Sequence, residues 1–192
     1  GLLDTNNDVW ISKNDNPNRK LKHTLEIIKV KKNLVGVNTN FANKITYHGL
    51  SNNLINEFKN IQNINSEVFF NKETRFDFLV EKNNQKNFIE VKNVTLFRKD
   101  KISEFPDAIT SRGTKHLKTL VEAIKKGYKS CTLFLVQIQN IEYFKIAKDI
   151  DKEYYQNYLL AKKAGVKFLA YRCKIDPTKE IKIEKKLKII DV

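Results

Sequence analysis

The run SCTLFLVQI, from Ser130 to Ile138, narrows the fold more than any other stretch of the chain. It is apolar at successive positions rather than alternate ones, the mark of a strand covered on both faces. A second such run, VKFLAYRCKI (166–175), follows DKEYYQNYLLAKKAG (151–165), whose spacing predicts a helix. Further upstream, TSRGTKHLKTLVEAIKKG places Leu117, Leu120, Val121 and Ile124 at helical spacing, with Gly127 to close the helix. Three strand candidates precede it: SEVFF, RFDFLV and NFIEVKNVTL. Before those, NFANKITYHG has helical content and ends at Gly49, a suitable residue just past a helix end. Ser51 or Asn52 can then cap a helix in which Leu54, Ile55, Phe58 and Ile61 share one face. The order αβββαβαβ predicts an α/β (α+β) fold: a mixed sheet with helices on both faces.

Residues 1–37 read differently. DVWISK and HTLEIIKVKKNLVGV look like short strands joined by the turn-rich NDNPNRK. This is too little chain for an independent barrel, so a remnant of a small β domain is expected over 1–37, followed by an α/β domain over 38–192. The sequence contains no Met, which reads as a fragment or processed form.

With 41% hydrophobic and 30% charged residues, the chain is expected to fold rather than stay disordered. No apolar run reaches the length of a membrane span, and the start does not read as a signal peptide. Cys131 and Cys173 lie inside apolar stretches, as buried free thiols of a reducing cytoplasm would. The net charge of +14 favours a polyanionic partner, nucleic acid first. An AT-rich genome, which inflates Lys, Asn and Ile, would produce a similar composition.

Acids interrupt the strands at two places. In RFDFLV, Phe76, Phe78 and Val80 are expected on one face, leaving Arg75 and Asp77 on the other; in NFIEVKNVTL, Glu90 and Lys92 share a face. Asn83-Asn84 suits a two-residue hairpin turn, since Asn tolerates the left-handed conformation. That turn pairs Lys82 with Gln85 and, counting outward, Asp77 with Glu90, their Cβ atoms roughly 5 Å apart. Facing carboxylates repel, and burial sharpens the repulsion, so a positive charge belongs between them. Mg²⁺ fits, with Lys92 near enough to orient a water or stabilise phosphate charge. A ladder of ion pairs, Asp77 with Lys92 and Glu90 with Arg75, fits the pattern equally well.

The stretches RFDF, IEVKNVTL, FPDAITSRGTKHL and LAYRC, with SKNDNPNRKLKHTLEII and VGVNTNFAN upstream, resemble the sugar fermentation stimulation protein A family, in order along essentially the whole chain. The resemblance implies an N-terminal OB-like β domain and a restriction-endonuclease-like core of the PD-(D/E)XK nuclease type. It implies that Asp77, Glu90 and Lys92 are the acid, acid and lysine of the nuclease motif, with Glu67 an additional upstream acid. Mg²⁺ or Mn²⁺ at Asp77 and Glu90, and hydrolysis of DNA phosphodiesters, would follow. Phe76 stands where the motif's name has proline. Members of the family carry a few tens of residues before the point where this chain starts. The family is known chiefly for DNA binding and a regulatory link to sugar metabolism, so a non-enzymatic DNA-binding regulator of sugar (maltose) metabolism on the same scaffold is the alternative.

Arg112, Lys115 and His116 fall in the same resemblance, which implies phosphate contacts; read without it, Arg112 starts a helix and His116 is half-buried. Gly113 costs helix stability there, as a close approach of backbone or DNA would require. Arg19, Lys20 and Lys22 follow a turn between strands, a place for DNA phosphate contacts or an ordinary solvated loop. Trp10 is assigned to core packing ahead of base stacking, and the tyrosines of KEYYQNYLL to helix packing. His23 and His48 lack metal-ligand spacing.

Overall fold

The computed structural model describes residue 2 and residues 6–190. An antiparallel sheet of β1 (Val9–Lys13), β2 (His23–Val30) and β3 (Asn33–Gly36) comes first, followed by helix α1 (Ala42–Ser51). Strands β4 (Asn63–Phe69), β5 (Arg75–Lys82) and β6 (Gln85–Val94) form an antiparallel meander, and β7 (Leu96–Lys99) and β8 (Ile102–Phe105) a short hairpin. Helix α2 (Ser111–Lys125), strands β9 (Lys129–Val136) and β10 (Tyr143–Ile146), helix α3 (Lys152–Lys163), and strands β11 (Lys167–Asp176), β12 (Glu180–Lys186) and β13 (Lys188–Ile189) complete the order.

The central sheet runs β12-β11-β9-β6-β5-β4. β6, β9 and β11 are parallel, and the outer pairings are antiparallel, so the sheet is mixed. β9 and β11 are the two apolar runs, and they lie adjacent in the sheet because each needs cover on both faces. One cover is α1, whose Ala42, Ile45 and Leu50 pack with Phe78, Val80, Ile89, Val91 and Leu133. The other is α2 and α3, whose Leu117, Leu120, Tyr154 and Tyr158 pack with Phe88, Val94 and Phe134. Ile28, Val30 and Val35 of the N-terminal sheet join that second cluster, and the Gly36 N–H donates to the Gln137 carbonyl at 2.9 Å. The N-terminal strands are thus fastened to the end of β9. Cys131 and Cys173 are buried and unpaired, burial pushing both thiols far up.

Three expectations need correction. Gly49 does not end α1: it lies inside the helix, where a Cβ would sit 2.5 Å from Ile183 Cδ1, so the glycine lets β12 approach. Residues 52–61 form no α-helix, only a 3-10 turn at Asn56–Phe58. Ile55 and Phe58 are buried as the apolar pattern demanded, but the asparagines take over the backbone. Asn53 adopts φ +57°, and its side chain accepts from the Asn60 N–H at 2.8 Å. Third, Phe76 does not share a face with Phe78 and Val80: it packs on the α2 side, they pack on the α1 side, and the alternation breaks at Asp77.

Candidate functional site

The hairpin forms as its turn residues require. Asn83 and Asn84 both have positive φ (+52° and +59°), and Lys82 pairs with Gln85. The regular ladder stops at Phe78–Ile89, one step short of the acids. There Asp77 Oδ2 accepts the Val91 N–H at 2.7 Å, so a carboxylate replaces the backbone carbonyl as the ladder's next acceptor. Asn43, on α1, donates to Asp77 Oδ1 at 2.8 Å and to Glu67 Oε1 at 3.3 Å.

Glu90 projects to the other side, toward α2. Its strand neighbours Phe88 and Val94 belong to the α2-side cluster, which fixes the face. Lys92 Nζ donates to Glu90 Oε1 at 2.7 Å, and His116 Nδ1 bonds the same oxygen. A carboxylate only accepts, so the Nδ1 hydrogen is assigned toward Glu90; Lys92 Nζ also lies 3.4 Å from that nitrogen. Glu90 Oε2 is buried and has no hydrogen-bond partner among the described residues.

These environments push the two acids apart. Burial, then the charge of Glu90, lifts the Asp77 carboxyl to about 6 against the contrary pull of Val91, Asn43 and Lys92. Burial also acts upward on Glu90, but the His116 hydrogen bond and the Lys92 charge outweigh it and hold Glu90 below its ordinary value. Among the described residues, no three His, Cys, Asp or Glu side chains are grouped to hold a metal ion. The carboxylates that could do so are the Asp77–Glu90 pair, which lines one cleft of about 790 Å³ together with Glu67, Arg75, Arg112 and His116.

The other sequence candidates distribute around this pair. Glu67 stands across from Asp77 in β4 with φ +57°, in an ion pair with Arg75 at 2.8 Å. The expected ladder of charges is therefore wrong in its partners: Arg75 holds Glu67, and Lys92 holds Glu90. Arg112 is exposed at the cleft with no hydrogen bond or ion pair among the described residues, and Lys115, also lining it, pairs with Glu73 at 2.8 Å. Gly113 makes room for protein rather than DNA: a Cβ would lie 2.9 Å from the Thr110 side chain and 3.1 Å from the Tyr154 ring. Arg19, Lys20 and Lys22 are exposed in the β1–β2 loop, away from the cleft lining, and Arg19 donates to Thr24 Oγ1 at 2.7 Å. Trp10 is half-buried against the α1-side cluster, and His23 and His48 are exposed. Sequence reasoning missed Asn43 and Asp151. Asp151 caps α3 through the Tyr154 N–H (2.8 Å) and also takes the Thr110 N–H (2.8 Å), tying the starts of α2 and α3 together. An N-cap Asp before KEYY was readable as a signal; the reach of Asn43 across sheet and helix was not.

Two sequence models of known families match, the SfsA N-terminal OB domain over residues 1–37 and the sugar fermentation stimulation protein RE domain over residues 40–179. The chain belongs to the sugar fermentation stimulation protein family. It is 74% identical over 191 residues to the homolog from Pelagibacter ubique, covering 100% of this chain and 82% of that protein. The homolog from Bartonella henselae is 33% identical over 190 residues, covering 96% of this chain and 81% of its own length. Among solved structures, Pyrococcus furiosus SfsA in complex with Ca²⁺ superimposes with a TM-score of 0.86 at 21% identity, over 95% of this chain and 78% of that one. At that identity the likeness speaks for the mixed α/β fold. No helix among the described residues is long and apolar enough to cross a membrane.

Proposed function

We propose that this member of the family is a divalent-cation-dependent nuclease acting on DNA phosphodiesters in the cytoplasm. The observation that carries the reading is that Asp77 and Glu90 line one cleft, with Lys92 Nζ 2.7 Å from Glu90 behind it and the Asp77 carboxyl lifted by burial first and the Glu90 charge second. Two hard carboxylates, one of them raised by burial and by the charge of the other, suit Mg²⁺ or Mn²⁺ in donor chemistry. Asp77 and Glu90 would hold the ion, which when bound would supply Lewis-acid polarisation of the scissile phosphodiester. The Ca²⁺ complex of the Pyrococcus relative supports a hard-cation reading.

The chain's own residues supply the rest. Lys92 Nζ lies 2.7 Å from Glu90 Oε1 and 3.4 Å from His116 Nδ1, where its ammonium would oppose charge growing on a phosphate bound beside Glu90. Arg112, exposed in the cleft lining, would hold a phosphate at the rim, and Lys115 would have to leave Glu73 to join it. The net charge of +14 draws the polyanion in.

One observation favours a second reading, a DNA-binding regulator that does not cleave. Glu90 already has two cationic or hydrogen-bonding neighbours, Lys92 and His116, so the cluster is internally neutralised without an ion. A cleavage assay on single- and double-stranded DNA with Mg²⁺ or Mn²⁺ separates the two. The nuclease reading expects cleavage that Asp77→Ala abolishes. It also expects Lys92→Ala to lower the rate by about a hundredfold or more while DNA affinity changes little. Full DNA affinity with no cation-dependent cleavage would leave the regulator.

A further inference from the structure

Behind the acid pair, three buried polar atoms lack a hydrogen-bond partner among the described residues: Glu90 Oε2, Thr132 Oγ1 and the Tyr154 hydroxyl. They belong to one place in the fold. Glu90 and Thr132 are direct partners in the parallel β6–β9 ladder, and in-register partners project to the same face. That face is the α2 side, because Phe88 and Val94 flank Glu90, and Phe134 and Val136 follow Thr132, in the cluster that holds Tyr154. Tyr154 enters from α3 beneath the first turn of α2: its ring lies 3.1 Å from where a Gly113 Cβ would be, one turn before His116, which bonds Glu90. Thr132 and Tyr154 are fully buried, and Glu90 is 4% exposed.

Native interiors seldom leave such groups unpaired, and an internal water characteristically makes about three hydrogen bonds to groups of this kind. The chemistry of the trio is complementary to one water: the carboxylate oxygen only accepts, the phenol donates or accepts, and the threonine hydroxyl does either. We propose that one internal water bridges Glu90 Oε2, Thr132 Oγ1 and Tyr154, making Tyr154 a positioning residue that locks the Glu90 carboxylate from behind. With Oε2 fixed inward, Oε1 is the oxygen presented to Lys92 and His116. The consequence for cation binding rests on the nuclease reading above; the bridge itself does not. Outer partners of a ligating carboxylate govern affinity because they set its orientation before the ligand arrives.

Tyr154→Phe keeps the ring that packs on Phe105 and Gly113 and removes only the hydroxyl, while Thr132→Val removes the second partner at nearly constant volume. High-resolution crystal structures of the chain and both variants decide the bridge. Density for one water within hydrogen-bond distance of all three atoms, and a turned Glu90 carboxylate in Tyr154→Phe, would support it. Continuous apolar packing with no solvent peak, or an unchanged Glu90 in both variants, would overturn it. Mn²⁺ binding followed by electron paramagnetic resonance reads the consequence: each variant should bind about tenfold more weakly at an unchanged melting temperature. In a Glu90→Gln background Tyr154→Phe should have no further effect, and an equal loss there would overturn a role through Glu90. A wild-type chain that binds no Mn²⁺ would sink the nuclease reading and the positioning consequence together, while the density still decides the water.

Discussion

Asp77 is a partly buried acid whose environment disfavours its charged form. Its carboxyl titrates near 6 when folded and near 3.8 when exposed, raised by burial first and by the Glu90 charge second. The folded state therefore holds a proton that the unfolded chain has released. Stability from this group is complete below the lower value and is lost as pH rises through the upper one. At neutral pH an ionised Asp77 works against folding, an arrangement a fold tolerates where a cation or substrate supplies the missing charge. Asp77→Asn keeps an acceptor for the Val91 N–H and discards the charge. In urea titrations with chelator at pH 7.5, the variant should be more stable than wild type by about 2 kcal/mol. The gap should close below about pH 4, where both side chains are neutral. A variant less stable than wild type at pH 7.5 would mean that Asp77 is paired rather than frustrated.

At the scale of elements, the sequence was legible wherever periodicity and turn chemistry agreed. The β9 and β11 runs, α2, α3 and the Asn83-Asn84 hairpin follow from patterns that local structure must satisfy. The short sheet β13-β10-β8-β7 was not legible, since its strands have two to four residues and no pattern that long loops lack. The face of Phe76 was misread because alternation assumes an unbroken ladder, and Asp77 breaks it with a side-chain acceptor. That Asp77, Glu90 and Lys92 fall in the two strands of one hairpin could be read; the partners Asn43 and His116 could not, because they come from α1 and α2, distant in sequence. Gly113 shows the same limit. Intrinsic propensity says that alanine there should stabilise α2 by about 1 kcal/mol. The Thr110 side chain at 2.9 Å and the Tyr154 ring at 3.1 Å say the opposite. Overpacking of this kind costs about 1–3 kcal/mol, so Gly113→Ala should lower the melting temperature. A raised melting temperature would show that Tyr154 has room to yield.

Across the whole molecule, the proposed nuclease reading divides the labour between the charge of +14 and the placement of the acids. On that reading, attraction to a polyanion would need no particular residue, whereas cleavage would need every member of the cleft's set. The two should separate in the salt dependence of DNA binding. Each phosphate contact releases condensed counterions, so log affinity falls linearly with log salt, by about 0.9 per contact on duplex DNA. Arg19 and Lys20 stand exposed on the β1–β2 loop and are not part of the cleft lining. If they touch phosphate, Arg19→Ala with Lys20→Ala should reduce the slope by about two and weaken every duplex sequence alike. Asp77→Ala should leave that slope unchanged or make it steeper, since on the nuclease reading it removes a negative charge from the path of the strand. An unaltered affinity in the double variant would return the loop to ordinary solvated chain. A wild-type affinity that stays flat from low to moderate salt would undercut DNA as the partner altogether, because a basic surface that gathers phosphates cannot escape paying counterion entropy back as salt rises.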